Sequence, residues 1–199
     1  MFVTFEGIDG SGKSTQAELL RNFLAERGED VVLAREPGGT PLGEEIRTLL
    51  LRGPAMTAWA EAALFAAARV ELVENVIRPA LERHAHVVCD RYLDSSLAYQ
   101  GIARGLGVER VLELNTSLVG DLLPERTFVL SIEPGDALRR LPEAKDRLER
   151  EGGGFMADVA AAYAELAARF PERITLLDGT LAVDELAKAV REELSLAHA

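Results

Sequence analysis

The sequence predicts an α/β fold of three layers, in which a doubly wound, five-stranded parallel sheet is flanked by helices. Five short apolar runs alternate with longer segments of helical periodicity, an order that is typical of parallel sheets with helical crossovers. Most of these runs are continuously apolar, which suits strands that are covered on both faces. The predicted strands cover residues 2–5, 31–34, 86–89, 127–132 and 174–177.

Helix signals fill the segments between these strands. Thr40 is an N-cap candidate that is followed by proline, and Gly53 is expected to end that helix. Thr57 should cap the next helix, which Pro79 should kink or break near Arg78 because proline cannot donate a helical hydrogen bond. Besides the helix after Thr40, helices are predicted over residues 14–27, 57–73, 94–101, 108–118, 136–141, 154–168 and 184–196.

The composition predicts a single globular domain over residues 1–199, with 48% hydrophobic and 28% charged residues. No run of about 18 or more apolar residues is present, so we expect no membrane span. The chain begins directly with a predicted strand and shows no signal peptide. Cys89 is the single cysteine, which excludes an internal disulfide. Together these features predict a cytoplasmic location.

The net charge of −11 argues against broad binding to nucleic acid. A phosphate-binding site in such an acidic chain needs locally concentrated positive charge. Most of the cations are arginines, whose planar donor forks grip phosphate oxygens in pairs. The plainer interpretation, a solvated helix face, holds for most of these arginines.

The segment from Gly7 to Ser14 fits the phosphate-binding pattern G-x-x-x-x-G-K-[ST] at every fixed position. It lies between the first predicted strand and the first predicted helix, which is the setting that the motif requires. Backbone N–H groups of such a loop form an anion-binding concavity, and the helix start adds partial positive charge. Lys13 would reach the β- and γ-phosphates of ATP, and the Ser14 hydroxyl would ligate Mg²⁺. The sequence therefore predicts a fold of the P-loop NTPase type, with an ATP-binding loop of Gly7, Ile8, Asp9, Gly10, Ser11, Gly12, Lys13, Ser14 and Thr15.

Charged side chains follow two other predicted strands. In parallel α/β sheets ligands bind beyond the carboxyl ends of the strands, so these loops should meet the phosphate loop in one crevice. Arg35 leaves the second strand, and Asp90 and Arg91 leave the third. Asp90 could orient Mg²⁺ through water or hold a catalytic arginine. From these residues alone, an ordinary turn with a surface arginine and a structural ion pair remain open alternatives.

Five segments in this order resemble the thymidylate kinase family, whose members phosphorylate dTMP with ATP. The resemblance covers about three quarters of the chain, and the ordered set is more specific than any one piece. The segments are F-E-G-x-D-G-x-G-K-S-T at residues 5–15, R-E-P-G-G-T at 35–40, F-x-x-x-R at 65–69, D-R-Y with S-S-L-A-Y-Q-G at 90–101, and D-R-L-E at 146–149.

The resemblance implies a binding site for the dTMP base and phosphate. Arg35 looks like the clamp on the dTMP phosphate, Phe65 like the ring that stacks on thymine, and Arg69 like a donor to thymine O4. Ser96 and Gln100 would face the base or lie close to it. Without the resemblance, Phe65 is interpreted as a core residue and Arg69 as a solvated one.

The resemblance also implies the residues that surround the reacting phosphates. Tyr99 would crowd the sugar 2′ carbon and so favour deoxyribose. Asp9 would touch the acceptor's 3′-hydroxyl or the transferring phosphate, and Arg91 would bridge the donor and acceptor phosphates. Asp90 is expected to organise Mg²⁺ or an arginine, since a phosphate with a second pKa near 6 is mostly a dianion at pH 7 and needs no strong base.

A short lid is predicted over residues 139–150. Arg140, Lys145 and Arg147 are candidates for closing over ATP, the first two as catalytic residues. For Arg147, the resemblance at D-R-L-E implies contact with adenine as the alternative. An exposed, charged helix end is the alternative for this segment.

Three other functions are alternatives to a dTMP kinase that uses MgATP. Another nucleoside monophosphate or deoxynucleoside kinase could share the fold. A GTPase switch needs a guanine-reading N-K-x-D segment, which is absent from the sequence. A catalytically silent scaffold would not need Lys13, Ser14, Asp90 and Arg91 together. The resemblance further implies a homodimer, to which the apolar face of residues 57–73 could contribute.

Overall fold

The computed structural model describes residues 1–141, 147–148 and 151–196 of the chain. Five strands form one parallel sheet in the order β2-β3-β1-β4-β5, which confirms the predicted fold class. Four of the predicted strands are one residue longer at their carboxyl ends, and the fourth strand is shifted by one residue towards the N-terminus. The strands are β1 (Phe2–Glu6), β2 (Val31–Arg35), β3 (His86–Asp90), β4 (Arg126–Ser131) and β5 (Ile174–Asp178).

Helices cover both faces of the sheet, close to the predicted ranges. They are α1 (Lys13–Glu26), α2 (Pro41–Arg52), α3 (Ala58–Leu72), α4 (Arg78–Glu82), α5 (Leu93–Ser96), α6 (Val108–Val119), α7 (Pro134–Arg139), α8 (Gly153–Arg169) and α9 (Val183–Leu196). The predicted N-caps are confirmed, because Thr40 Oγ1 accepts from the Gly43 N–H at 3.0 Å and Thr57 Oγ1 from the Ala60 N–H at 3.4 Å. Helix α7 begins two residues earlier than expected, since a proline at the first helical turn has no N–H to leave unsatisfied.

Two π-helical segments, Val73–Ile77 and Leu97–Ala103, continue the helices α3 and α5. The first joins α3 to α4, so Pro79 lies in the first turn of α4 and the chain continues in helical form. Proline cannot donate to the carbonyl four residues before it, and the change of hydrogen-bond pattern immediately precedes it. The second extends the predicted helix over residues 94–101 and carries Tyr99 and Gln100.

The core forms separate apolar clusters on the two sides of the sheet. Val3 and Phe5 of β1 pack with α1 and α9, whereas Phe2 lies in the other cluster with residues of α5, α8 and the π-helical segments. This alternation along one strand produces the predicted three layers. Cys89 is buried within β3. In the described part of the chain, no helix combines the length and the apolar character that a membrane crossing requires.

The sheet register aligns the loops that carry the predicted site. Phe5 pairs with Asp90 across β1 and β3, and Arg35 pairs with Asp90 across β2 and β3. The residues that follow these strands therefore leave the sheet at the same edge.

Candidate active site

A cavity of about 1290 Å³ extends over the carboxyl ends of the strands. Its volume exceeds that of a typical pocket for one small ligand, which is at most about 1,000 Å³. We call the part around Asp9, Lys13, Ser14 and Asp90 the phosphate-loop end, and the part around Phe65, Ser96, Tyr99 and Gln100 the aromatic end; Arg91 contacts both. The predicted site residues that line the cavity are Asp9, Gly10, Ser11, Gly12, Lys13, Ser14, Thr15, Arg35, Phe65, Asp90, Arg91, Ser96, Tyr99, Gln100 and Arg140.

The phosphate loop depends on backbone conformations that glycine adopts. Gly10 has a φ of 83°, and a Cβ atom there would approach the Ala137 carbonyl oxygen to 2.3 Å. Gly12 has a φ of 98° and forms the N-cap of α1. The loop thus packs against α7 and turns its backbone into the start of α1, the arrangement that places N–H groups around an anion.

Lys13, Asp9 and Arg91 form a charge cluster at the phosphate-loop end. Lys13 Nζ donates to the Ile8 carbonyl oxygen at 2.8 Å and lies 3.7 Å from Asp9 Oδ1, to which Arg91 Nη2 donates at 2.6 Å. Burial lowers the pKa of Lys13 to about 8, and the neighbouring Arg91 acts in the same direction. Burial alone would raise the pKa of Asp9, but Arg91 and Lys13 together hold it well below its usual range. Asp9 is therefore a carboxylate at neutral pH.

Ser14 and Asp90 are a candidate pair for Mg²⁺. Ser14 Oγ donates to Asp90 Oδ2 at 2.5 Å, while Asp90 Oδ1 is buried with no hydrogen-bond partner among the described residues. A hydroxyl and a carboxylate with an unsatisfied oxygen suit a hard cation that keeps several waters and also binds substrate phosphates. Among the residues that the structure describes, no group of three or more His, Cys, Asp and Glu could hold a metal by itself. The donors present therefore fit a cation that arrives with a nucleotide.

Arg91 lies between the two ends of the cavity, in a left-handed backbone conformation with a φ of 70°. Its Nη1 donates to Ser95 Oγ at 3.0 Å and to the Tyr163 hydroxyl at 3.2 Å. Its guanidinium also lies 5.4 Å from the centre of the Tyr99 ring. Contacts on several sides fix the direction of this cation.

Two of the residues that the resemblance assigns to dTMP are engaged within the protein. Arg35 is half-exposed and pairs with Glu44 at 2.9 Å. Arg69 is buried and does not line the cavity. Its five N–H donors meet acceptors inside the protein: both Glu36 carboxylate oxygens, Ser96 Oγ, Asn115 Oδ1 and the Tyr92 carbonyl oxygen.

Glu61 is a buried carboxylate that connects the aromatic end to a more distant segment. It accepts from Gln100 Nε2 at 2.9 Å, from Arg104 Nη2 at 3.3 Å and from Arg147 Nη2 at 2.7 Å. Arg104 also pairs with Glu151 at 2.8 Å. The cluster places Gln100 against a network of charges that lies behind the cavity wall.

The predicted lid residues are placed at different positions. Arg140 lines the cavity and donates to the Gly179 carbonyl oxygen at 3.0 Å. Arg147 does not line the cavity; its Nε donates to the Leu50 carbonyl oxygen at 2.7 Å, and its pair with Glu61 places it behind the aromatic end. Its contact with adenine remains a prediction. Lys145 lies outside the described residues, as does much of the segment 139–150.

Among the described residues, four buried carboxylates had no predicted role, namely Glu6, Glu36, Glu61 and Asp94. Burial raises the pKa of Glu6 to about 7, and Asp94 adds to this effect, against the opposing influence of Arg91 and Ser95. The sequence did carry a signal for these residues. Glu6 ends an otherwise apolar strand and Glu61 interrupts the most apolar predicted helix, and an acidic residue in such a position needs a partner.

Comparison with known proteins identifies the family. The family model described as thymidylate kinase matches residues 5–190. The curated thymidylate kinase of Symbiobacterium thermophilum is 48% identical over 196 residues, which cover 96% of this chain and 91% of that protein. The curated thymidylate kinase of Bifidobacterium longum (strain DJO10A) is 44% identical over 199 residues, which cover 98% of this chain and 97% of that protein. The crystal structure of the thymidylate kinase from Ehrlichia chaffeensis has a TM-score of 0.79 and 34% identity, with 98% of each chain covered. The chain belongs to the thymidylate kinase family.

Proposed function

We propose that this chain transfers the γ-phosphoryl group of ATP to dTMP and so forms dTDP. The observation that carries the proposal is a continuous cavity that joins the phosphate loop to the aromatic end, with Arg91 between them. Membership of the thymidylate kinase family supports the same pair of substrates.

The donor would bind at the phosphate loop. The loop N–H groups and the start of α1 meet the β-phosphate, and Lys13 reaches across to the γ-phosphate. Mg²⁺, held by the Ser14 hydroxyl and by Asp90 directly or through water, would neutralise charge on the β- and γ-phosphates. Arg140 is proposed to approach the donor from α7.

The acceptor would bind at the aromatic end. Phe65 is proposed to stack on the thymine ring, while Ser96 and Gln100 meet its edge. Tyr99 would lie against the deoxyribose. Arg69 could reach thymine O4 only by sharing or releasing one of its five N–H donors, all of which have acceptors inside the protein.

The chemical problem is repulsion between two anions, because the acceptor phosphate is already nucleophilic at neutral pH. Arg35 is proposed to hold that phosphate after leaving Glu44, and Arg91 to bridge it to the γ-phosphate. Asp9 orients Arg91 and Lys13 and contacts the acceptor. Positioning and charge neutralisation, rather than proton removal, then accelerate phosphoryl transfer.

An ADP-release assay across a nucleotide panel tests this function. With MgATP as donor, kcat/KM for dTMP should exceed kcat/KM for UMP, CMP, AMP and thymidine. Equal or greater turnover with one of these competitors would assign the chain to another acceptor. GTP binding without any acceptor activity would instead point to a nucleotide switch.

Homodimerisation and a cytoplasmic location are further parts of the proposal. Trp59, in the first turn of helix α3, is partly exposed, and the apolar face of this helix could contribute to a dimer contact. Light scattering of the purified chain at several concentrations tests the dimer, since a monomer at every concentration would contradict it.

A further inference from the structure

Glu6 ends strand β1 and is fully buried beside Arg91. Its Oε1 accepts from the backbone N–H groups of Tyr92 at 2.8 Å and Ser95 at 3.2 Å. Its Oε2 accepts from Ser95 Oγ at 2.5 Å and from the Tyr163 hydroxyl at 2.9 Å. Glu6 therefore contacts both the backbone that follows Arg91 and two hydroxyls of neighbouring helices.

The same two hydroxyls face Arg91. Arg91 Nη1 donates to Ser95 Oγ at 3.0 Å and to the Tyr163 hydroxyl at 3.2 Å. A hydroxyl has one proton, so a hydroxyl that donates to Glu6 keeps only lone pairs for a second partner. A guanidinium offers only donors. The Glu6 carboxylate thus turns both hydroxyls into acceptors for Arg91.

We propose that Glu6 is a positioning residue for Arg91, which it holds in the direction of phosphoryl transfer through the Ser95 and Tyr163 hydroxyls. The inference rests on the proposed function, because that function assigns Arg91 to the bridge between the two phosphates. Asp9 holds Nη2 of the same guanidinium, so Glu6 and Asp9 together fix both of its terminal nitrogens.

Replacement of Glu6 by glutamine separates this role from packing. The two backbone N–H groups that face Oε1 can only donate hydrogen bonds, so the glutamine amide must place its oxygen, and not its NH₂ group, at that position. Its NH₂ group then faces the Ser95 and Tyr163 hydroxyls and competes for their lone pairs. The side chain keeps its shape and volume, but the two hydroxyls are no longer both held as acceptors for Arg91 Nη1, because their protons can turn towards Arg91 or towards each other.

The test is steady-state kinetics at pH 8 on wild type and Glu6→Gln, with thermal unfolding of each. We expect kcat to fall by about 10-fold or more, since a small misplacement of a catalytic group can cost up to about 10²-fold. KM for ATP and for dTMP should stay within about twofold. Glu125→Gln is the matched control, because Glu125 also accepts from a β1 backbone N–H, that of Phe2, and should leave kcat unchanged.

A double-mutant cycle decides whether Glu6 acts through Arg91. In an Arg91→Ala background, Glu6→Gln should have no further effect on kcat, because the residue that it positions is gone. A full additional loss in that background would overturn the proposal, as would wild-type kcat in Glu6→Gln itself.

Two further measurements keep the inference testable on their own. If Glu6→Gln does not fold, Ser95→Ala combined with Tyr163→Phe removes the same acceptors and should lower kcat without changing either KM; an unchanged kcat would overturn the proposal.

The ¹⁵N NMR signals of the Arg91 guanidinium, assigned by their absence in Arg91→Ala, should show restricted rotation in wild type that Glu6→Gln or the double variant releases. Unchanged signals would contradict the role of Glu6. This readout needs no dTMP turnover, so its failure and the failure of the proposed function are distinguishable.

Discussion

The two ends of the cavity use charged side chains in different ways. At the phosphate-loop end, Lys13, Asp9 and Arg91 line the cavity itself and contact one another. At the aromatic end, Arg69 and Arg147 do not line the cavity and pair with the buried carboxylates Glu36 and Glu61.

This difference separates two functions of charge within one site. Side chains that face the cavity can act on a bound anion directly. Charges that are paired behind the wall hold the wall in shape, and the uncharged side chains of Phe65, Ser96, Tyr99 and Gln100 that line the cavity there suit a neutral ring better than a phosphate. Substitutions at the first end should therefore change turnover, and substitutions at the second should change stability and binding.

The largest effect is expected for Arg91→Ala, which removes the cation between the two ends. We expect kcat to fall by at least about 10²-fold, since arginines that stabilise phosphoryl transfer are worth about 10³-fold or more. Steady-state assays measure the loss, and a cooperative unfolding transition in urea would show that the fold is retained. Near-normal turnover would remove Arg91 from the mechanism.

A large effect on stability is expected for Glu61→Ala. The substitution leaves Arg104 and Arg147 without their buried partner, and breaking such a pair costs about 3 kcal/mol or more. Urea unfolding measures the free energy, and KM for dTMP should rise as well, because Glu61 also accepts from Gln100. Glu151→Ala is the control, because this more exposed carboxylate also pairs with Arg104 and should cost about 1 kcal/mol or less. Equal losses in both variants would contradict the contrast between buried and exposed charge.

A smaller effect is expected for Asp90→Asn at the candidate Mg²⁺ site. The amide keeps the shape of the side chain but removes the charge beside Ser14. The Mg²⁺ concentration for half-maximal activity should rise about 10-fold, the range found when groups around a metal are altered. Excess Mg²⁺ should restore most of the activity, and an unchanged Mg²⁺ dependence would place the metal elsewhere.

The smallest effect concerns the proton on Lys13. With a pKa of about 8, its ammonium loses its charge as the pH rises through that value, and a bound anion should restore it. ATP binding at pH 8 should therefore take up about half a proton. Calorimetry in buffers of different ionisation enthalpy measures this uptake, and Lys13→Met is the control. Identical enthalpies in all buffers would contradict the lowered pKa.

The sequence was sufficient for those features that depend on local pattern. The strand, the glycine loop and the helix around Gly12 are adjacent in the chain, and their residue types predict their conformation. The order of the strands brings Asp90 next to Ser14, which the rule for parallel sheets anticipates. The caps Thr40 and Thr57 are likewise local signals.

The features that escaped prediction depend on contacts between distant parts of the chain. Glu61 meets Arg147 across 86 residues of sequence, and Tyr163 meets Glu6 across 157. An acidic residue in an apolar segment of the sequence indicates that a partner is needed, but it does not indicate which residue that partner is. The π-helical segment that carries Tyr99 and Gln100 is also set by its packing, since 7 residues are too few for their apolar spacing to distinguish a π-helix from an α-helix.

The left-handed backbone conformation of Arg91 bears on any attempt to raise the thermal stability of this enzyme. Any residue with a Cβ atom in that conformation lowers the free energy of unfolding by about 1 kcal/mol through backbone strain, which glycine would not. Arg91→Gly would relieve that strain, but it would also remove the hydrogen bonds to Asp9, Ser95 and Tyr163, and hydrogen bonds to a charged group are worth about 1.5 kcal/mol or more each. A search for more heat-stable forms of this protein should therefore leave Arg91 unchanged and look for gains at other positions.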